Sequence, residues 1–155
     1  MMPSVLFVCL GNICRSPAAE GVMLDVVARA GLSDVVAVDS AGTGGWHVGE
    51  LADARMRAAA KRRGYDLQSR ARQVQPADMT TFDLVIPMDQ SNLENLRRLA
   101  GPKADNIHLL GAYLDAANPP DVPDPYYGGE AGFDEVLDML ETACPKILQQ
   151  LTEMA

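Results

Sequence analysis

Cysteine, histidine and positive charge are all scarce in this chain of 155 residues, and each shortage removes a class of protein. Three cysteines are an odd number and too few for a disulfide scaffold at this length, so the thiols fit a reducing compartment. Two histidines, His47 and His108, with no acids clustered about them leave no metal site, and no cofactor is implied. His47 reads as an ordinary surface side chain and His108 as a structural one. The formal net charge of −8 argues against nucleic acid or an anionic membrane as a general partner, although a local basic pocket can exist within an acidic whole. The first apolar run is broken by Gly11 and Asn12 and has no charged leader, so neither a signal peptide nor a membrane span is read. Cytoplasmic residence is the resulting expectation. Repeats and low-complexity tracts are missing.

What is present is enough apolar material, 48% of residues, for one globular domain over residues 1–155 with a substantial core. Short apolar runs at Val5–Val8, Val35–Val38, Phe82–Ile86 and Ile107–Leu110 read as four strands. Between them lie helical patterns over Pro17–Ala30, over Asp53–Arg63, and after Asp89 with Leu93, Leu96 and Leu99. Asp89 reads as a helix cap, and Lys61, Arg62 and Arg63 as a solvated helix end. Glu20 reads as a solvated helix residue, or as one that orients the loop before it. From Gly111 to Ala131 proline, aspartate and glycine give a long loop of the kind that carries function. The last helix places Phe133, Val136, Leu137, Leu140, Cys144, Ile147, Leu148 and Leu151 on one stripe, with Pro145 expected to break or kink it. Alternating strands and helices imply an α/β, three-layer fold: a four-stranded parallel sheet flanked by helices on both faces, with ligand at the carboxyl ends of the strands.

At that end of the first strand stands Cys9, followed by Leu10, Gly11, Asn12, Ile13, Cys14, Arg15 and Ser16. A strand-to-helix turn lets successive N–H groups converge on an anion, and the helix dipole favours negative charge there. The same features stabilise a thiolate, so Cys9 should ionise below the usual thiol value of about 8.5. Arg15 adds a planar two-pronged donor suited to phosphate oxygens. Ser16 reads both as the helix N-cap and as a donor to the sulfur, with Pro17 at the first helical position. Gly11 and Asn12 tolerate the positive φ that inward-facing amides demand.

VCLGNICRSP near the N-terminus and DPYYGG, Asp124–Gly129, together resemble the low-molecular-weight protein tyrosine phosphatases. SAGTGGWHVG, Ser40–Gly49, and MDQSN, Met88–Asn92, extend the resemblance over nearly the whole chain. The resemblance implies that Cys9 is the nucleophile, Arg15 the phosphate clamp and Asp124 the general acid, with the amides of Leu10 to Arg15 binding phosphate. It implies that Ser40 supports the loop through Asn12, and that Trp46, Tyr126 and Tyr127 wall the substrate cleft. Tyr126 and Tyr127 also become phosphorylation sites, which brings in a tyrosine kinase as partner beside phosphotyrosine proteins as substrates. Cys14 would pair reversibly with Cys9 to shield it from irreversible oxidation. The chain departs from the family at Ser69, where a histidine often buttresses the loop.

The expected reaction is hydrolysis of phosphotyrosine and small aryl phosphates through a cysteinyl-phosphate. Asp121 is a rival acid on chemistry alone; the Pro125-Tyr126-Tyr127 context favours Asp124. Arsenate reductases share the fold but relay through further cysteines, of which Thr80–Asn92 holds none, while Cys144 lies on a core stripe. Protein arginine phosphatases carry threonine where Ile13 stands, and the larger side chain obstructs phosphoarginine. A noncatalytic phosphotyrosine-binding module would need neither thiolate nor acid.

Overall fold

The computed structural model describes residues 2–101 and 105–154. Its centre is strand β1 (Ser4–Cys9), paired in parallel with β2 (Ala37–Gly42) on one side and β3 (Leu84–Pro87) on the other. Side chains of a strand alternate between faces, and β1 divides the core accordingly. Val5, Phe7 and Cys9 pack with helices α1 (Arg15–Arg29), α2 (Ala54–Arg62) and α5 (Glu130–Met154). Leu6 and Val8 face the other way, toward the short α3 (Asp78–Thr81) and α4 (Gln90–Ala100). Helices therefore cover both faces of a parallel sheet, as expected.

The sheet has three strands rather than four. Ile107 makes one parallel bridge to Val85, and the chain then turns into a 3-10 helix, Leu110–Tyr113. Gly111 lies so close to the Pro120 carbonyl that no Cβ fits there, which fixes the turn and ends the pairing. The second strand starts at Ala37 rather than Val35 and runs on to Gly42, because its register beside β1 sets Ser40 opposite Phe7 and Gly42 opposite Cys9. Pairing in the sheet overrides the weak strand preference of Asp39, Ser40 and Gly42.

Helix α5 runs unbroken through Pro145. The whole expected stripe, including Cys144, is buried on both sides of the proline, and that burial outweighs the about 3 kcal/mol that a proline costs inside a helix through its missing N–H and its ring clash. Arg63, at the end of α2, is not simply solvated: it pairs with Asp134, Asp138 and Glu141 and ties α2 to α5. In α4, Leu93 and Leu96 are buried, whereas Leu99 faces solvent. No helix among the described residues is long and apolar enough to cross a membrane.

Candidate active site

Cys9 closes β1, and its carbonyl and that of Leu10 are taken by the N–H groups of Thr43 and Gly44, each at 2.9 Å. The Ile13 carbonyl accepts from the Asp53 N–H at 2.7 Å. With these carbonyls bound outward, the N–H groups of Gly11, Asn12, Ile13 and Cys14 have no acceptor among the described residues, and that of Arg15 opens a helix. Gly11, Ile13, Cys14 and Arg15 line one hollow, so a run of free donors borders it, the arrangement that receives an anion. Gly42 permits the approach of β2 beneath the loop: a Cβ there would stand 3.0 Å from the Leu10 oxygen, the Gly11 carbon and the Asn12 nitrogen.

Asn12, not Gly11, takes the left-handed conformation, with φ 58°. Its amide donates to the Ser16 hydroxyl at 2.7 Å and to the Ser40 hydroxyl at 3.0 Å, and its oxygen accepts from the Arg72 N–H at 3.0 Å. The Ser16 hydroxyl lies 3.0 Å from the Cys9 sulfur and 3.4 Å from the Ala41 carbonyl, so with the sulfur ionised its proton can be given to the thiolate in a hydrogen bond. Ser16 does not cap α1. The helix begins at Arg15, two residues earlier than expected, Cys14 holds the cap position without a side-chain hydrogen bond, and Pro17 is the third helical residue. Its hydroxyl cannot serve the helix end while it lies between Asn12 and the sulfur.

Ser40 donates a hydrogen bond to Glu20, at 2.5 Å, and Ser69 lines the same hollow as that carboxyl. Glu20 is therefore a support of the loop rather than a solvated helix residue. Burial raises its pKa, opposed by the hydrogen bond from Ser40.

Arg15 is 2% exposed, and its Nη1 donates to Asp89 at 2.7 Å and to the Val122 carbonyl at 2.9 Å. Burial alone would lower its pKa, but the negative charges of Cys9, Asp89 and Asp124 raise it instead. Asp89 caps α4 as expected, accepting from the Asn92 N–H at 2.8 Å, and with its other oxygen it aims the guanidinium. Nothing local in the sequence signals that second contact, since the partners lie 74 positions apart.

Asp124 faces Arg15 across the opening, 3.7 Å from Nη2, with its side chain 38% exposed. Asp121 is turned away and accepts from the Gln90 N–H at 3.1 Å, at the start of α4. The cleft between these groups holds about 320 Å³, with Cys9, Ile13 and Arg15 at its base and Trp46, Asp124, Tyr126 and Tyr127 above. Trp46 and Tyr127 are 71% and 93% exposed, so both rims are aromatic and open. Tyr127 meets Tyr126 edge-on at 4.9 Å, while Arg55 sits over the Tyr126 ring and holds its carbonyl at 2.9 Å. His47 also lines the cleft, beside Tyr126, and the sequence reading missed it because a lone histidine carries no spacing signal.

All three cysteines are free thiols. Burial, then Asp53 and Cys9, push the Cys14 thiol far up. A sulfur beside a run of amide donors, a fixed guanidinium and a carboxyl across an aromatic cleft can attack phosphorus, hold its oxygens and protonate a leaving group.

Comparison with known proteins gives the same picture over the whole chain. Residues 4–155 match the family model of the low molecular weight phosphotyrosine protein phosphatase. A low molecular weight protein-tyrosine-phosphatase of Streptomyces coelicolor is 48% identical over 153 residues, covering 96% of this chain and 93% of that one. The human low molecular weight phosphotyrosine protein phosphatase is 41% identical over 151 residues, covering 95% and 94%. Among solved structures, a protein tyrosine phosphatase from Entamoeba histolytica with Hepes in its active site superposes with a TM-score of 0.92 at 43% identity, covering 97% of both chains. With its anion-binding loop, its held arginine and its match from end to end, this chain belongs to the low molecular weight phosphotyrosine protein phosphatase family.

Proposed function

We propose that the protein hydrolyses phosphotyrosine in protein substrates, and small aryl phosphates, through a cysteinyl-phosphate. The observation that carries this reading is the Cys9 sulfur held 3.0 Å from the Ser16 hydroxyl beside a run of unpaired amides, with Arg15 fixed by Asp89. Cys9 attacks phosphorus as the thiolate, favoured by the Ser16 proton and the loop amides. The amides of Leu10 to Arg15 and the Arg15 guanidinium bind the equatorial oxygens, whose charge they meet most strongly in the transition state. As the bond to the tyrosyl oxygen breaks, neutral Asp124 gives that oxygen its proton. Asp124, now a carboxylate, then takes a proton from the water that attacks phosphorus, and phosphate leaves as Cys9 regains its thiolate.

Asn12, Ser16 and Ser40 support the loop, and Trp46, Tyr126 and Tyr127 receive the substrate ring. Ile13 lines the cleft wall and favours a flat aryl ester over phosphoarginine. One domain over residues 1–155 houses the reaction. Cys14 serves as the reversible redox partner of Cys9, and the exposed Tyr127 is open to a tyrosine kinase.

Release of phosphate from p-nitrophenyl phosphate in EDTA, abolished in Cys9→Ser, tests the assignment. The pH profile should be bell-shaped on the acidic side of neutrality, since thiolate and neutral acid must coexist. Turnover that climbs steadily into alkali would remove Asp124 and Cys9 from these roles. Binding of phosphotyrosine without turnover would make the protein a recognition module instead.

A further inference from the structure

Beside the phosphate cleft lies a second hollow of about 410 Å³, and the two share Ile13, His47 and Tyr126 as a common wall. Its charged lining comprises Glu50, Asp53, Arg57 and Arg70. The two acids are already committed. Glu50 accepts from His47 Nδ1 at 3.0 Å, and Asp53 binds Arg55 through both oxygens, at 3.1 and 3.0 Å. Arg55 accordingly lowers the Asp53 pKa, so that carboxylate stays charged and paired.

The two arginines are not committed. Arg57 uses only Nε, on the Ala52 carbonyl at 2.8 Å, and Arg70 uses only Nη1, on the Gly49 carbonyl at 2.9 Å. Each main-chain contact fixes one edge of a guanidinium and leaves other N–H groups without an acceptor. Neither arginine has a carboxylate within 4.0 Å among the described residues. The contrast with their neighbours is informative. Seven of the thirteen basic residues fall between Arg55 and Arg72, against one acid, Asp66. Arg63 and Arg72 are neutralised by Asp134, Asp138 and Glu141 and by Asp39 and Asp78. Lys61, Arg97 and Arg98 also have no carboxylate partner among the described residues, but Arg57 and Arg70 alone of these line a hollow that shares a wall with the reaction cleft.

We infer that this hollow is an anion subsite for the polypeptide substrate, with Arg57 and Arg70 receiving an acidic side chain within two residues of the phosphotyrosine. The inference rests on the phosphatase reading above. An extended peptide advances about 3.3 Å per residue. A chain whose phosphotyrosine descends past Tyr126 therefore carries its neighbours across the shared wall. Two planar donors match a carboxylate better than an ammonium would, and the pairing adds selectivity without touching the reacting phosphorus.

The test is steady-state kinetics on phosphotyrosine peptides that carry glutamate or glutamine at each of the two positions on either side, with p-nitrophenyl phosphate as a substrate too small to reach the hollow. At one of these positions the wild-type protein should prefer glutamate by about threefold to tenfold in kcat/KM, a preference that fades at ~0.5 M salt. The Arg57→Gln/Arg70→Gln protein should lose that preference and keep its p-nitrophenyl phosphate turnover, and the double lysine variant should recover part of it. A wild-type protein indifferent to all four positions, or a glutamine variant that still prefers glutamate, overturns the subsite while leaving the phosphatase reading intact. No turnover of p-nitrophenyl phosphate by the wild type would overturn both.

Discussion

Replacing Asn12 by alanine, and separately by glycine, takes apart two contributions that this one residue combines. The side chain makes three hydrogen bonds, to Ser16, to Ser40 and from the Arg72 N–H. At a net worth of about 0.5–1.5 kcal/mol each, losing them costs roughly 2–4 kcal/mol. A Cβ at φ 58° adds strain of about 1 kcal/mol that asparagine partly relieves by local hydrogen bonding. Asn12→Ala should then lose about 3–5 kcal/mol, a large part of the ~5–15 kcal/mol typical of a domain. For a chain of this size that is a fall in melting temperature of roughly 6–20 °C by calorimetry. Asn12→Gly sheds the strain and gives back some of it as chain entropy, so it should melt above alanine by about 1 kcal/mol or less. Both variants release the Ser16 hydroxyl, so competitive inhibition by inorganic phosphate should weaken along with turnover. An alanine variant melting within about 2 °C of wild type, or a glycine variant melting below alanine, would refute the reasoning.

Three further outcomes follow from the site and its surroundings. Asp124→Ala should cut turnover of phosphotyrosine by ~100 to 10,000-fold, whereas Asp121→Ala, which removes only a contact at the start of α4, should leave it within a few-fold; equal losses would erase the distinction. Iodoacetamide near neutrality should label Cys9 before Cys14 and Cys144, whose thiols burial pushes up, and inorganic phosphate should protect Cys9; mass spectrometry showing Cys14 labelled first would contradict the geometry. Burial and then Glu141 push Tyr65 up to about 12, so the folded chain keeps that proton after the unfolded chain has lost it, and stability should fall as pH rises from about 10 to 12. Chemical denaturation across that window should show a shallower fall in Tyr65→Phe, and an unchanged slope would deny the linkage.

The parts of the fold that the sequence makes legible are those with an unbroken period or a marked end. The stripe of α5 is read correctly because it repeats over about five turns, and Val5 to Val8 because the run is β-branched and aromatic in part and is ended by Gly11 and Asn12. Ile107 to Leu110 misleads because three apolar residues around His108 suit a strand and a buried turn equally, and contact of Gly111 with Pro120 decides between them. In the site, Cys9 and Arg15 are legible from residue types and spacing, whereas Asp124 is told from Asp121 only by the family resemblance of its motif; the hollow brings all three together. Asp89 and Glu20 are harder, since each does an ordinary helical duty that hides a second one. The aim of a guanidinium by Asp89, and of a serine by Glu20, depends on how layers stack rather than on any neighbour in the chain.

The two sides of the cleft differ mechanically. Cys9 ends a strand bonded along both edges, whereas Asp124 rides on a mostly exposed stretch pinned at Val122 by its bonds to Met88 and Arg15. Deuterium should enter the strand only through global opening, and the stretch around Asp115 to Asp121 through small excursions. Because the Val122 carbonyl also holds the Arg15 guanidinium, length changes in this segment are tolerable before Val122, over Asp115 to Asp121, and not at the pin itself.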